Sequence, residues 1–137
     1  MSASSLYKTA SVLIILFALG HTLGFRRTKG MAGADAVVAL MKSVRFTVNG
    51  FDRIYWDFYV GFGLFVTVFL LFAAALSWQL GSLPREVLAQ IPIATWGLAL
   101  CFAGVTILSW TRFFVAPGVF STLVTLCLLA AAWMAGK

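Results

Sequence analysis

Few side chains in this 137-residue sequence could do acid–base or ion-binding chemistry, and they lie at the ends of long apolar runs. His21 is the only histidine, and Asp57 is one of only four acidic residues. A carboxylate beside an imidazole fixes its tautomer and favours its charged form. We therefore take His21 and Asp57 as a candidate pair for proton transfer or for binding the polar group of a ligand.

Four apolar runs must position these residues. They cover residues 6–25, 55–80, 91–110 and 113–135, and each is close to the ~20 residues that a helix needs to cross a hydrocarbon core. The chain is 62% hydrophobic and 10% charged, whereas a soluble domain carries about 25% charged residues. The sequence predicts an all-α fold with one integral membrane domain over residues 1–137. Its architecture would be an antiparallel four-helix transmembrane bundle.

Alternating helix directions bring distant parts of such a chain to one depth. The end of the first run and the start of the second share one side, so we expect His21 and Asp57 to meet there. Ionisable groups inside a membrane normally face the bundle interior and pair. Arg53 and Arg112 compete for the same carboxylate, and a helix-clamping ion pair is the alternative to a site. The predicted ligand-binding set is His21, Tyr55, Trp56, Asp57, Tyr59, Ser109, Trp110 and Arg112.

The segment between the first two runs, residues 26–53, is the only sizeable polar stretch. Residues 34–44 have apolar positions at helical spacing together with Lys42, which predicts a short amphipathic helix in the plane of the membrane interface. Asn49 and Gly50 indicate a turn. Asp52 is expected to cap the second membrane helix, where a negative charge suits the helix dipole.

Positive charge is unevenly divided between the two predicted sides. Seven Lys and Arg residues fall on the side of the first connection and three on the other, which predicts a cytoplasmic first connection and both termini outside the cytoplasm. The first run is expected to remain as a membrane helix rather than to be removed as a signal peptide. The larger group is Arg26, Arg27, Lys29, Lys42, Arg45, Arg53 and Arg112, and the smaller is Lys8, Arg85 and Lys137.

Several classes of function are disfavoured. The net charge of +6 is explained by membrane topology and anionic lipid, so we expect no nucleic-acid partner. One histidine without a nearby cysteine gives poor support for a metal site, and we expect none. Cys101 and Cys127 form no C-x-x-C motif and are expected to be buried and inert. The serines lack the surroundings of a nucleophile elbow, and no cofactor is indicated.

Three stretches carry a resemblance to a known group of proteins. They are residues 20–25 around His21, residues 55–63 around Asp57, and residues 108–117 from Leu108 to Pro117. In these stretches the chain resembles small bacterial membrane proteins with four predicted helices. The resemblance covers nearly the whole chain. It implies the four-helix fold and a bacterial inner membrane, and it implies no activity.

Three hypotheses for function follow from these observations. The first is binding of a small lipophilic or lipid-like molecule at the cytoplasmic-leaflet end of the bundle, with His21 and Asp57 at its polar group. The second is an intramembrane enzyme in which His21 is the general acid/base and Asp57 orients it. The third is a structural or assembly subunit, in a homo-oligomer or a larger membrane complex.

Overall fold

The computed structural model describes residues 2–25 and 33–137 of the chain. Four long helices dominate it, namely α1 (Ala3–Gly24), α3 (Tyr55–Ser82), α5 (Pro92–Arg112) and α6 (Val115–Ala135). Two short helices, α2 (Ala34–Ser43) and α4 (Arg85–Gln90), and two strands, β1 (Arg45–Val48) and β2 (Phe51–Ile54), complete the described elements. The basic cluster of Arg26, Arg27 and Lys29, used in the charge count, lies outside the described residues.

The four long helices have 21 to 28 residues and are apolar enough to cross a membrane. Most of their large apolar side chains are exposed on the protein surface, which is stable only where lipid is the solvent. The protein is therefore a multi-pass membrane protein, and the predicted all-α four-helix fold is confirmed. The short helix expected between the first two spans is α2. The small β-sheet and α4 were not predicted.

The chain divides into two compact units. The first, which we call the core unit, comprises Met1–Ala18 and Phe69–Lys137, and the second, the hairpin unit, comprises Leu19–Val68. In the core unit, fully buried alanines such as Ala10, Ala99 and Ala131 lie among Val124 and Leu128. Small side chains at helix contacts let backbones approach closely, which is how membrane helices gain packing energy.

Serine hydroxyls join α1 to α3 within the core unit. Ser11 Oγ donates to the Ala74 carbonyl at 2.8 Å, and Ser77 Oγ donates to the Tyr7 carbonyl at 2.8 Å. Such bonds satisfy buried hydroxyls where no water can. The Tyr7 hydroxyl itself is buried and has no hydrogen-bond partner among the described residues.

The helices α5 and α6 form an antiparallel pair in the core unit, joined through residues 113 and 114. The Thr106 and Thr125 hydroxyls are 2.9 Å apart. Pro92 is at the start of α5 and Pro117 is in the first turn of α6, where a proline is tolerated because the first turn needs no amide donor from these positions. The two cysteines are free thiols, and Cys101 is exposed rather than buried.

The hairpin unit contains α2, the two strands and the first half of α3. The predicted turn at Asn49 and Gly50 is confirmed: their φ values of 49° and 83° are both positive, as a two-residue type I′ hairpin requires. Asp52 does not cap α3. It lies in β2, where its Oδ1 accepts a 2.6 Å hydrogen bond from Thr47, because the hairpin extends the chain up to Ile54.

Candidate functional site

The first turn of α3 follows β2 without a loop, and Asp57 stabilises this junction. Its Oδ2 accepts a 3.3 Å hydrogen bond from the backbone amide of Ile54, the residue directly before the helix. A carboxylate at the third helical position that bonds back to this amide forms half of a capping box. Its negative charge also suits the positive end of the helix dipole. Asp57 thus has the capping role that the sequence suggested for Asp52.

The hairpin presents two different faces. Residues opposite one another in an antiparallel pair share a face, and the register pairs Phe46 with Arg53 and Arg45 with Ile54. The Phe46 ring lies 5.1 Å from the ring of Phe58 in α3. Arg53 therefore shares the face that packs on α3, whereas Arg45 is on the opposite face.

Next to this face of the hairpin, the first turns of α3 form a shallow groove of about 230 Å³. Residues spaced by three and four along a helix lie on one side of it, and Asp57, Gly61 and Phe65 have this spacing. A Cβ atom added at Gly61 would meet no atom within 4 Å other than those of its chain neighbours and of the adjacent helix backbone, so the glycine leaves the middle of the groove open. The lining residues are Arg53, Asp57, Phe58, Gly61, Phe62 and Phe65.

The groove has charge at one end only. Arg53 Nη1 donates to the backbone carbonyl of Asp52 at 2.7 Å, and its guanidinium lies 5.4 Å from the centroid of the Phe51 ring. Asp57 bonds to the Ile54 amide. Arg53 and Asp57 do not form an ion pair with each other or with another described residue. Both side chains are exposed, so they are available to a ligand with complementary charges.

His21, in the last turn of α1, makes a different contact in the hairpin unit. Its Nε2 lies 3.0 Å from the Gly63 carbonyl oxygen, and its ring stacks on Phe25 with centroids 5.2 Å apart. With Nε2 protonated, the imidazole donates this bond. One residue on, the hydroxyls of Thr22 and Thr67 are 2.8 Å apart. These two polar contacts join the end of α1 to α3.

The expected pair of His21 and Asp57 is not formed, which corrects the sequence-based expectation. Asp57 bonds to Ile54 and His21 to Gly63. Gly63 is six residues beyond Asp57 in α3, so it lies ~9 Å further along the axis and roughly 120° around it. The number of residues between a side chain and the end of its apolar run gives an approximate depth in the membrane, but it does not give the rotation of α3 about its axis.

The aromatic residues of the predicted set contact one another around the start of α3. Tyr59 donates its hydroxyl to the Phe25 carbonyl at 2.7 Å, and its ring stacks on Trp56 at 5.4 Å. Trp56 also lies under the Lys42 ammonium, 4.9 Å from the ring centroid. The Tyr55 ring lies 4.8 Å from that of Phe46. These contacts hold α2 and the hairpin against the helix.

The three remaining members of the set belong to the core unit. Ser109 is buried in α5. Trp110 donates its indole N–H to the Thr122 hydroxyl of α6 at 3.0 Å. Arg112 is the last residue of α5 and is exposed. Within this unit, the hydrogen bond of Trp110 joins α5 to α6.

Sequence reasoning missed most of the groove. Phe58, Gly61, Phe62 and Phe65 were not in the predicted set, although their spacing along α3 could have indicated a common face. Arg53 was considered only as a competitor for Asp57. The missing signal was the hairpin, because its register decides that Arg53 faces the helix.

The described residues contain no group of three His, Cys, Asp or Glu side chains that could hold a metal ion. The groove has two opposite charges at one end, on Arg53 and Asp57, and phenylalanine rings along its wall. Comparison with known proteins adds no assignment, since no protein-family profile, curated protein or solved structure matches the chain.

Proposed function

We propose that this membrane protein binds a single lipid-like amphiphile in the groove on α3. The observation that carries the proposal is the division of the groove into a charged end, at Arg53 and Asp57, and an aromatic wall of Phe58, Phe62 and Phe65. Ligand sites in helical membrane proteins are mostly apolar, with a few polar groups that fix orientation. The groove has both features.

The dimensions of the groove suit a lipid chain. Asp57 and Phe65 are eight residues apart, which is ~12 Å along the helix axis. A polar headgroup at Asp57 would place its first methylene groups beside Phe58 and Phe62. The tail would then run parallel to α3, as the chains of the surrounding bilayer do.

We also propose on which side of the membrane the groove lies. The hairpin and α2 belong to the connection that carries most of the positive charge in the sequence, and such connections remain in the cytoplasm. We propose a bacterial inner membrane, with the groove in the cytoplasmic leaflet and both termini outside the cytoplasm. A reporter fused after Lys137 that is active only in the periplasm should be active, and an inactive reporter would contradict this orientation.

The other two hypotheses have less support. An acid/base enzyme would need Asp57 to orient His21, and each side chain has a different backbone partner. For assembly into a homo-oligomer or a larger complex, no contact or charge pattern among the described residues gives specific support. Lipid-like ligand binding is therefore the function that this geometry supports best.

The proposal can be tested by filling the groove. The variant Gly61→Phe places a ring where the glycine leaves space, and Gly104→Phe is the matched control, because it also adds a ring to an open site on a long helix. Wild-type protein extracted in mild detergent should retain one phospholipid per chain by native mass spectrometry. Gly61→Phe should lose most of it, and Gly104→Phe should retain it.

Equal lipid retention in the wild type and in Gly61→Phe would overturn the proposal. Circular dichroism of both variants provides the folding control. Neither side chain meets a neighbour within 4 Å at its Cβ position, so both variants should keep the helical spectrum of the wild type.

A further inference from the structure

The two charges in the groove restrict the headgroup that it can bind. Arg53 and Asp57 are both exposed and line the same groove. They do not pair with each other among the residues that the structure describes. A ligand with only a negative group would be attracted by the guanidinium and repelled by the carboxylate. A ligand with only a positive group would experience the reverse, so a headgroup with both charges suits the groove best.

Arg53 is suited to the negative part of such a headgroup. A guanidinium presents its N–H groups in a planar fork that matches phosphate oxygens. One nitrogen, Nη1, donates to the backbone of Asp52, and the other N–H groups donate to no described residue. The register of the hairpin directs Arg53 to the α3 side, so these donors are available at the mouth of the groove.

Asp57 is suited to the positive part. Its Oδ2 is engaged by the Ile54 amide, and its Oδ1 accepts from no described residue. A carboxylate oxygen gains most from a charged N–H donor. A primary ammonium has three such hydrogens, whereas a trimethylated ammonium has none.

From this geometry we infer that the groove selects a zwitterionic phospholipid with a primary ammonium, of the phosphatidylethanolamine type. The phosphate binds Arg53, the ammonium binds Asp57, and an acyl chain lies along the phenylalanine wall. This inference rests on the function proposed above. It further predicts that the groove distinguishes ethanolamine from choline headgroups, although both carry the same net charge.

The test uses three phospholipids with identical acyl chains and ethanolamine, choline or glycerol headgroups. Delipidated full-length protein is incubated with each, and retention is measured by native mass spectrometry. Wild type should retain the ethanolamine lipid roughly tenfold better than the choline lipid, since a charge-assisted hydrogen bond is lost with choline. It should also retain it better than the glycerol lipid.

Matched variants separate the two contacts. Asp57→Asn should bring the ratio of ethanolamine to choline lipid close to one, while Asp57→Glu and the neighbouring Asp52→Asn should keep the wild-type ratio. Arg53→Gln should weaken retention of all three phospholipids. Arg45→Gln should not, because Arg45 is on the opposite face of the hairpin.

Two results would overturn the inference while leaving lipid binding intact. One is equal retention of ethanolamine and choline lipids by the wild type, and the other is an unchanged preference in Asp57→Asn. Retention of all three lipids by Gly61→Phe at the wild-type level has a different meaning. It would indicate annular lipid only, and it would remove the proposed function together with the inference.

Discussion

The two units of this protein are built from different contacts. Every fully buried side chain among residues 2–25 and 33–137 belongs to the core unit, and the hairpin unit has none. In the core unit, small and aliphatic residues pack closely, and serines bond to backbone carbonyls. The hairpin unit is held instead by a capping carboxylate, a tight turn and stacked aromatic rings.

This contrast suggests that the core unit mainly determines stability and the hairpin unit mainly determines ligand binding. Close packing and buried hydrogen bonds supply most of the free energy that holds membrane helices together. A unit with few buried contacts lies at the less stable end of a structure, where ligand-binding elements are commonly found. We therefore expect substitutions in the core unit to change stability most, and substitutions in the hairpin unit to change ligand binding more than stability.

The largest effect is expected in the core unit at Leu128, which is 0% exposed. Leu128→Ala leaves a cavity and should lower the free energy of unfolding by about 2–5 kcal/mol. Leu126→Ala is the matched control on the same helix, because Leu126 is 59% exposed, and it should change stability by less than about 0.5 kcal/mol. Unfolding in mixed micelles, followed by circular dichroism, measures both. Equal losses would contradict the burial of Leu128 in the packed interior of the core unit.

An intermediate effect is expected at Gly63 in the hairpin unit. A Cβ atom there would lie 2.6 Å from the Phe25 ring, so Gly63→Ala must displace the ring and should cost about 1 kcal/mol. Gly61→Ala is the control on the open side of α3, and it should be neutral or stabilising because alanine favours a helix. The same unfolding measurement applies. A loss in Gly61→Ala as large as that in Gly63→Ala would show that the groove is packed.

The smallest effect is expected at His21. His21→Leu removes the hydrogen bond to the Gly63 carbonyl and should cost roughly 0.6 kcal/mol, the average for such bonds in membranes. His21→Gln keeps an N–H donor and should recover part of this loss. Lipid retention should stay at the wild-type level in both variants, because His21 does not line the groove. Loss of bound lipid in His21→Leu would indicate that His21 contributes to lipid binding after all.

Much of the fold could be predicted from sequence, because a long apolar run has few stable structures in a membrane. The predicted spans agree with α1, α3, α5 and α6 to within three residues at each end. Asn49 and Gly50 identified their turn because few residues tolerate positive φ. The strands beside that turn were missed, since four residues are too few for a clear alternation.

The candidate site was less predictable, because it depends on helix rotation. His21 and Asp57 were chosen for their residue types, and the structure gives each a backbone partner that sequence does not reveal. Depth in a membrane follows from counting residues, but the direction of a side chain changes by 100° with each residue along a helix. A small error in the assumed rotation therefore exchanges one set of neighbours for another.

The sequence by itself determined that this chain crosses a membrane in four helices, because only an apolar run of sufficient length is stable in hydrocarbon. It also determined where the polar connection lies and that α2 is short and amphipathic. Only the tertiary structure decided that Arg53 and Asp57 share a groove and that His21 bonds elsewhere. Strand register and helix rotation set these contacts, and both arise from packing between segments that are distant in the chain.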